Sequence, residues 1–170
     1  LSHDQGPDSS ETHEHFQELD AALSDCLNSV PSDTCIILTA DQGQIPCGKE
    51  FHHNIDNVPE FAQCLRLPLS GEPRIPIAFV KDGMHEAFLN AFSANFGSLG
   101  TCYPSEEVLN SGLLGPGKIH PELADRLGDF VIIMDAPHVL ISDSNSRILA
   151  GVHGGFHPDE MNVPLCLVTP

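Results

Sequence analysis

Positive charge is scarce in this sequence: Lys and Arg together number 7 of 170 residues, against 24 Asp and Glu, for a formal charge of −17 with His neutral. A chain this acidic repels phosphate backbones and anionic membrane surfaces, which excludes nucleic-acid binding through a basic patch. Any phosphate chemistry would need cations supplied locally. Long apolar runs are lacking as well, and none approaches the roughly 20 residues of a membrane-spanning helix. The opening residues Leu1, Ser2, His3 and Asp4 have neither a basic stretch nor an apolar one, so no leader pattern is read there. Leu in place of an initiator Met leads us to expect a processed product or a piece of a longer chain. The six cysteines (Cys26, Cys35, Cys47, Cys64, Cys102, Cys166) include no C-x-x-C pair, which argues against a zinc ribbon and against a dense disulfide framework. Free thiols in a reducing compartment, and hence a cytoplasmic location, are the expectation.

What is present is enough for a globular fold. A chain of this length buries about 70% of its unfolded surface, and 41% hydrophobic residues can fill a core without a structural metal. From Ser9 to Asn28 the apolar residues Phe16, Leu19, Ala22, Leu23, Cys26 and Leu27 recur at three- and four-residue steps behind a Ser cap, which predicts an amphipathic helix. Thr34 to Ala40 (TCIILTA) is a short, β-branched run of strand length, apolar on both faces, which predicts a covered central strand. After Pro46 the character changes, with prolines at 59, 68, 73 and 76 punctuating short elements. A strand is expected at Ile75 to Val80 and a helix at Met84 to Phe96 with Phe88, Phe92 and Phe96 on its core face. Short helices follow at Pro104–Glu107 and Pro121–Leu127. Phe130–Met134 and Val139–Ile141 read as a hairpin around Asp135-Ala136-Pro137, and Val163–Val168 as a last buried-type strand. The organisation expected is an α/β core from residues 1–50 and 148–170, interrupted by a smaller α/β insertion over 51–147.

Three places join a metal-ligating side chain to suitable local geometry. Asp41 directly follows an apolar strand and precedes Gly43, and ligands in open α/β sheets bind beyond the carboxyl ends of strands. His153 sits in G-V-H-G-G, where glycines on both sides let the backbone pass close to a ligand. His3 stands in S-H-D-Q-G-P-D just before the first helix. His157, next to Pro158-Asp159-Glu160, reads as a helix-start neighbour, and His52, His53, His85, His120 and His138 as scattered, locally satisfied residues. Arg74 in G-E-P-R and Arg126 are the candidate anion contacts, with structural ion pairing as the competing role.

Taken in order, the segments HDQGPDSSETHEHFQELDAAL, IILTADQG, LSGEPR, GLLGPGKIHPELADRLGDFVII and GVHGGFHPDEMNVPLCLV make the chain resemble the alkaline phosphatase superfamily, in its phosphodiesterase and nucleotide pyrophosphatase branch. The resemblance implies part of a doubly wound, mostly parallel α/β sheet carrying two divalent metals, usually zinc. Two such metals stabilise the attacking and leaving oxygens of an in-line phosphoryl displacement. In that family one metal is held by an Asp-x-x-x-His pair and a later histidine. By this resemblance His3 and His153 are the two histidines, and the aspartate would precede Leu1. The other metal takes an adjacent Asp-His pair next to a Thr or Ser nucleophile; Asp41 matches, but Gln42 stands where the histidine would.

A neutral amide oxygen is a poor zinc ligand beside imidazole, so weak metal retention is expected around Asp41-Gln42. The resemblance thus implies the C-terminal portion of a metal-dependent phosphodiesterase. It would contribute His3, Asp41 and His153, with no catalytic nucleophile of its own, and be inactive alone toward small phosphodiesters or nucleotides. The alternative is a non-catalytic binding or assembly domain that lost a metal ligand at Gln42. Half of a sheet would expose an edge and an apolar face, so homo-oligomerisation is expected too.

Overall fold

The computed structural model describes residues 1–142 and 147–168. The chain divides into two compact units, Leu1–Lys49 with Leu149–Pro170, and Glu50–Ile148. Among the described residues no helix is long and apolar enough to cross a membrane.

The discontinuous unit begins with a single helical turn, α1 (Ser2–Gln5), and the 18-residue helix α2 (Ser10–Leu27). Ser9 starts α2 as the sequence predicts: its Oγ accepts the Thr12 amide at 3.2 Å and donates to the Gly6 carbonyl at 2.9 Å. The Thr12 hydroxyl, buried, donates to the same carbonyl at 2.9 Å. The predicted strand forms as β1 (Ile36–Thr39) but is not covered. It pairs antiparallel with β10 (Leu165–Val168) in a two-stranded ladder, leaving Ile37 62% and Leu165 68% exposed. With one ladder neighbour and no packed layer, the apolar pattern has nothing among the described residues to bury against. A second small ladder joins β2 (Ile45–Pro46) antiparallel to β9 (Gly151–Val152), and α7 (Pro158–Met161) follows β9.

The continuous unit has its own core. A four-stranded antiparallel sheet runs in the order β4 (Ser70–Glu72), β5 (Ile75–Ala78), β7 (Phe130–Met134), β6 (Gly100–Pro104). Helix α4 (His85–Asn95) buries Phe88, Ala91 and Phe92, spaced three and four apart, against this sheet's cluster and the short helix α3 (Pro59–Ala62). The Phe61 and Phe88 rings lie 4.8 Å apart, and Phe88 stacks on Phe130 at 5.1 Å. Two further short helices, α5 (Ser105–Asn110) and α6 (Leu123–Arg126), pack beside a smaller cluster of Val108, Leu127 and Val131.

The hairpin expected around Asp135-Ala136-Pro137 does not form. Both edges of β7 are taken, by β5 and β6, so the chain after it turns away. β8 (Val139–Ile141) pairs instead in parallel with β3 (His52–Asn54), in the register His52 to Val139 and His53 to Leu140. The turn is braced by Arg74, only 1% exposed, whose Nη1 donates to the carbonyls of Asp135 at 2.8 Å and His138 at 2.7 Å. Its guanidinium is therefore structural. Arg126 makes an exposed ion pair with Glu122 one turn earlier, at 3.1 Å.

Candidate functional site

The β2–β9 ladder and α1 bring His3 and His153 together. The His3 carbonyl accepts the Ala150 amide at 2.8 Å, and the Cys47 amide donates to the Ala150 carbonyl at 2.8 Å, so α1 and the residues after β2 flank the start of β9. This approach requires Gly151, because a Cβ there would fall 2.5 Å from the Ser2 carbonyl oxygen and 2.9 Å from the Gln44 side chain. The consequence is a distance of 5.2 Å between the centroids of the two imidazoles, tilted by 54°.

Hydrogen bonding orients the first ring. His3 Nδ1 lies 2.8 Å from the Gly151 carbonyl oxygen, which can only accept, so Nδ1 carries a proton, and in the neutral ring the lone pair is then on Nε2. Gln44 Nε2 sits 3.0 Å from the same Nδ1; with that nitrogen's proton on the Gly151 carbonyl, a hydrogen bond to Gln44 requires the amide turned to present its oxygen. A backbone carbonyl holding one ring nitrogen is an arrangement that metal-ligating histidines share. On the second ring, His153 Nδ1 is buried and has no hydrogen-bond partner. A buried polar atom without a partner is costly, and a metal lone-pair contact would relieve that cost. These two imidazoles therefore fit part of the donor set of a zinc-type ion.

Asp41 and Gln42 lie on an exposed segment beyond β1. Among the described residues no group of three or more His, Cys, Asp or Glu side chains converges as a metal cage. The structure thus brings two of the three sequence-named ligands into contact and leaves Asp41 outside that pair.

Two contacts that shape the site are not legible in the sequence, where Gly43 is noted only for following Asp41. Gly43 passes so close to α7 that a Cβ would fall 1.9 Å from the Asp159 carbonyl oxygen, and its amide donates to the Glu160 carbonyl at 2.8 Å. Glu160 is 3% exposed, and its carboxylate accepts the amides of Gly155 at 2.8 Å and His157 at 3.3 Å. One residue thereby ties the Asp41–Gln44 segment to the loop carrying His153. His157 caps α7, its Nδ1 accepting the Asp159 amide, and the S/T-x-x-E signal that would have revealed this capping box is hidden because a histidine holds the cap position.

Among curated proteins none matches the chain. In solved structures, murine ectonucleotide pyrophosphatase/phosphodiesterase 5 is similar at a TM-score of 0.73 with 19% identity. An inactive variant of that protein in complex with AMP scores 0.70, also at 19% identity. In both cases 96% of this chain is covered. Phosphonoacetate hydrolase from Sinorhizobium meliloti 1021 in complex with phosphonoformate is similar at 0.67, with 19% identity over 98% of this chain. In each case the chain spans 43% of the neighbour's length, so the likeness establishes an α/β fold of alkaline-phosphatase-like type over less than half of those proteins. The profile described as type I phosphodiesterase / nucleotide pyrophosphatase matches residues 1–156, and with that extent of match the chain belongs to the type I phosphodiesterase / nucleotide pyrophosphatase family.

Proposed function

We propose that this chain supplies one half-site of a metal-dependent phosphodiesterase or nucleotide pyrophosphatase. The observation that carries the reading is the His3–His153 pair: two imidazoles 5.2 Å apart, one oriented by a backbone carbonyl and the other with a buried, unpartnered nitrogen. His3 through Nε2 and His153 through Nδ1 would hold one divalent ion, zinc first among those that suit imidazole. Such an ion, when bound, supplies charge stabilisation to a phosphoryl oxygen. Gly151 O fixes the tautomer and direction of His3, and Glu160 holds the loop on which His153 stands. A small phosphodiester or nucleotide is the proposed substrate class, in keeping with the AMP bound to the murine neighbour. The nucleophile and the other ligands are proposed to lie outside the 170 residues, so this chain alone is expected not to turn over substrate.

Metal content by elemental analysis tests the reading, with hydrolysis of a bis-aryl phosphodiester measured in parallel. Zinc bound by the chain and lost on His3→Ala or His153→Ala supports it; zinc content indifferent to both substitutions overturns it. A second reading, a non-catalytic binding or assembly domain, draws on Asp41 and Gln42, which are exposed and outside the imidazole pair. Gln42→His separates the two. Under the lost-ligand account it raises zinc content, and no change counts against that account. We further propose that the exposed β1–β10 face leads isolated chains to associate with one another.

A further inference from the structure

Two of the histidines that read as scattered in the sequence meet in the continuous unit, far from the family site in the chain. The parallel pairing of β3 with β8 sets His53 opposite Leu140 and near the residue just before β8, and His53 Nε2 lies 2.9 Å from His138 Nδ1. Their ring centroids are 5.1 Å apart, and the Phe51 ring meets His138 edge-on at 5.3 Å. The backbone beneath is fixed. The His138 amide donates to Asp135 O at 2.8 Å, its carbonyl accepts from buried Arg74 at 2.7 Å, and the Leu140 amide donates to Pro73 O at 3.0 Å.

We propose that His53 and His138 form a two-imidazole transition-metal site, with copper(II) as the favoured occupant. The spacing suits it once each ring turns about 45° off the hydrogen-bond line so that the two lone pairs converge: with metal–nitrogen bonds of about 2.0–2.1 Å, two nitrogens 2.9 Å apart subtend roughly 90°, the cis angle of square-planar or octahedral coordination rather than the wider tetrahedral one. Among imidazole-binding divalent ions, copper(II) binds most strongly and takes tetragonal geometry. No third His, Cys, Asp or Glu converges there among the described residues, so water fills the remaining positions. Without metal, one ring donates its N–H to the other across the 2.9 Å contact. On binding, that proton moves to the outer nitrogen of its own ring, and both facing lone pairs go to the ion. Burial, with His138 and His52 nearby, holds the His53 pKa below its usual value, so this ligand is already neutral near pH 7.

The test is copper(II) titration of the full chain at pH 7.5, with the exposed thiols of Cys26, Cys35 and Cys166 alkylated beforehand so that they cannot reduce the ion, in a His3→Ala/His153→Ala background, which removes the imidazoles of the family site. Electron paramagnetic resonance reads the ligand nitrogens. The expected result is one copper per chain with two imidazole nitrogens, weakened on the order of 100-fold by His53→Ala or His138→Ala, since even outer-shell changes typically cost 10–100-fold. His53→Gln, which keeps the side-chain bulk, is expected to show the same loss, and a metal-free thermal melt separates ligand loss from misfolding. Copper affinity unchanged in the folded variants, a spectrum with a single nitrogen, or no copper bound at all overturns the proposal.

Discussion

The two units use similar apolar patterns to opposite ends. In Glu50–Ile148, helix α4 lays Phe88 and Phe92 onto Phe61, Phe130, Ile132 and Met134, and each is buried. In the other unit, helix α2 carries an equally regular stripe, yet Thr12 is its only buried residue, and Phe16 and Leu19 are 63% and 51% exposed. Strand β7 has a neighbour on each edge, whereas among the described residues β1 has β10 alone. An amphipathic helix or an apolar strand announces that a partner layer is wanted, and does not supply it. Most helical stability in a protein comes from that partner.

Thiol chemistry offers the largest expected contrast. Cys102, in the core-bearing unit, has its thiol pKa pushed up to about 12 by burial, because the thiolate loses its water. At pH 8 its reactive thiolate fraction is about 10⁻⁴, so alkylation runs on the order of a thousandfold slower than at an ordinary exposed cysteine. Cys64 is shifted the same way by burial, against a smaller opposing pull from Lys81, and its Sγ donates to Glu60 O at 3.2 Å. Cys26, Cys35 and Cys166 are exposed and belong to the other unit. Time-resolved labelling by mass spectrometry should show these three modified first; early modification of Cys102 would break the contrast.

Next in size is Phe88→Ala, which removes a ring stacked on Phe130 and packed on Phe61. A loss of about 3–5 kcal/mol is expected in urea unfolding, as for other buried aromatic truncations. Glu160→Ala leaves the Gly155 and His157 amides without their carboxylate partner and is expected to cost about 1–3 kcal/mol. Hydrogen exchange at Gly155 should accelerate with it. If exchange there is unchanged, Glu160 does not hold the His153 loop. The smallest effect on folding is expected from Ile37→Lys with Leu165→Lys on the exposed ladder, within about 0.5 kcal/mol each. Size-exclusion chromatography should nevertheless show less self-association, and an elution volume identical to that of the parent chain would count against association through this face.

Local signals in the sequence mapped well onto elements. The Ser9 cap, the three- and four-residue spacing of α2 and α4, and the apolar runs at 36–39 and 130–134 all mark segments that form, because capping and periodicity act within a few residues. Long-range pairing was less legible. The segment Asp135-Ala136-Pro137 reads as a hairpin turn until one knows that β5 and β6 already occupy both edges of β7. Arg74 reads as either an anion contact or a structural ion-pairing residue, and the structure sets its guanidinium on two backbone carbonyls. At the candidate site, the residue types of His3 and His153 were plain in the sequence, while Gly43, Gln44 and Glu160, which position them, carry no motif of their own.

The sequence by itself determined the acidic charge, the helices and strands of local origin, the family membership carried by ordered motifs, and the supply of imidazoles. Only the tertiary structure decided which imidazoles meet, since His3 Nδ1 bonds to a carbonyl 148 residues away and His53 faces a ring 85 residues on. It also decided which apolar residues are buried. Helix periodicity and capping are short-range properties written in neighbouring residues. Burial, strand pairing and ligand convergence depend on what the rest of the chain brings alongside.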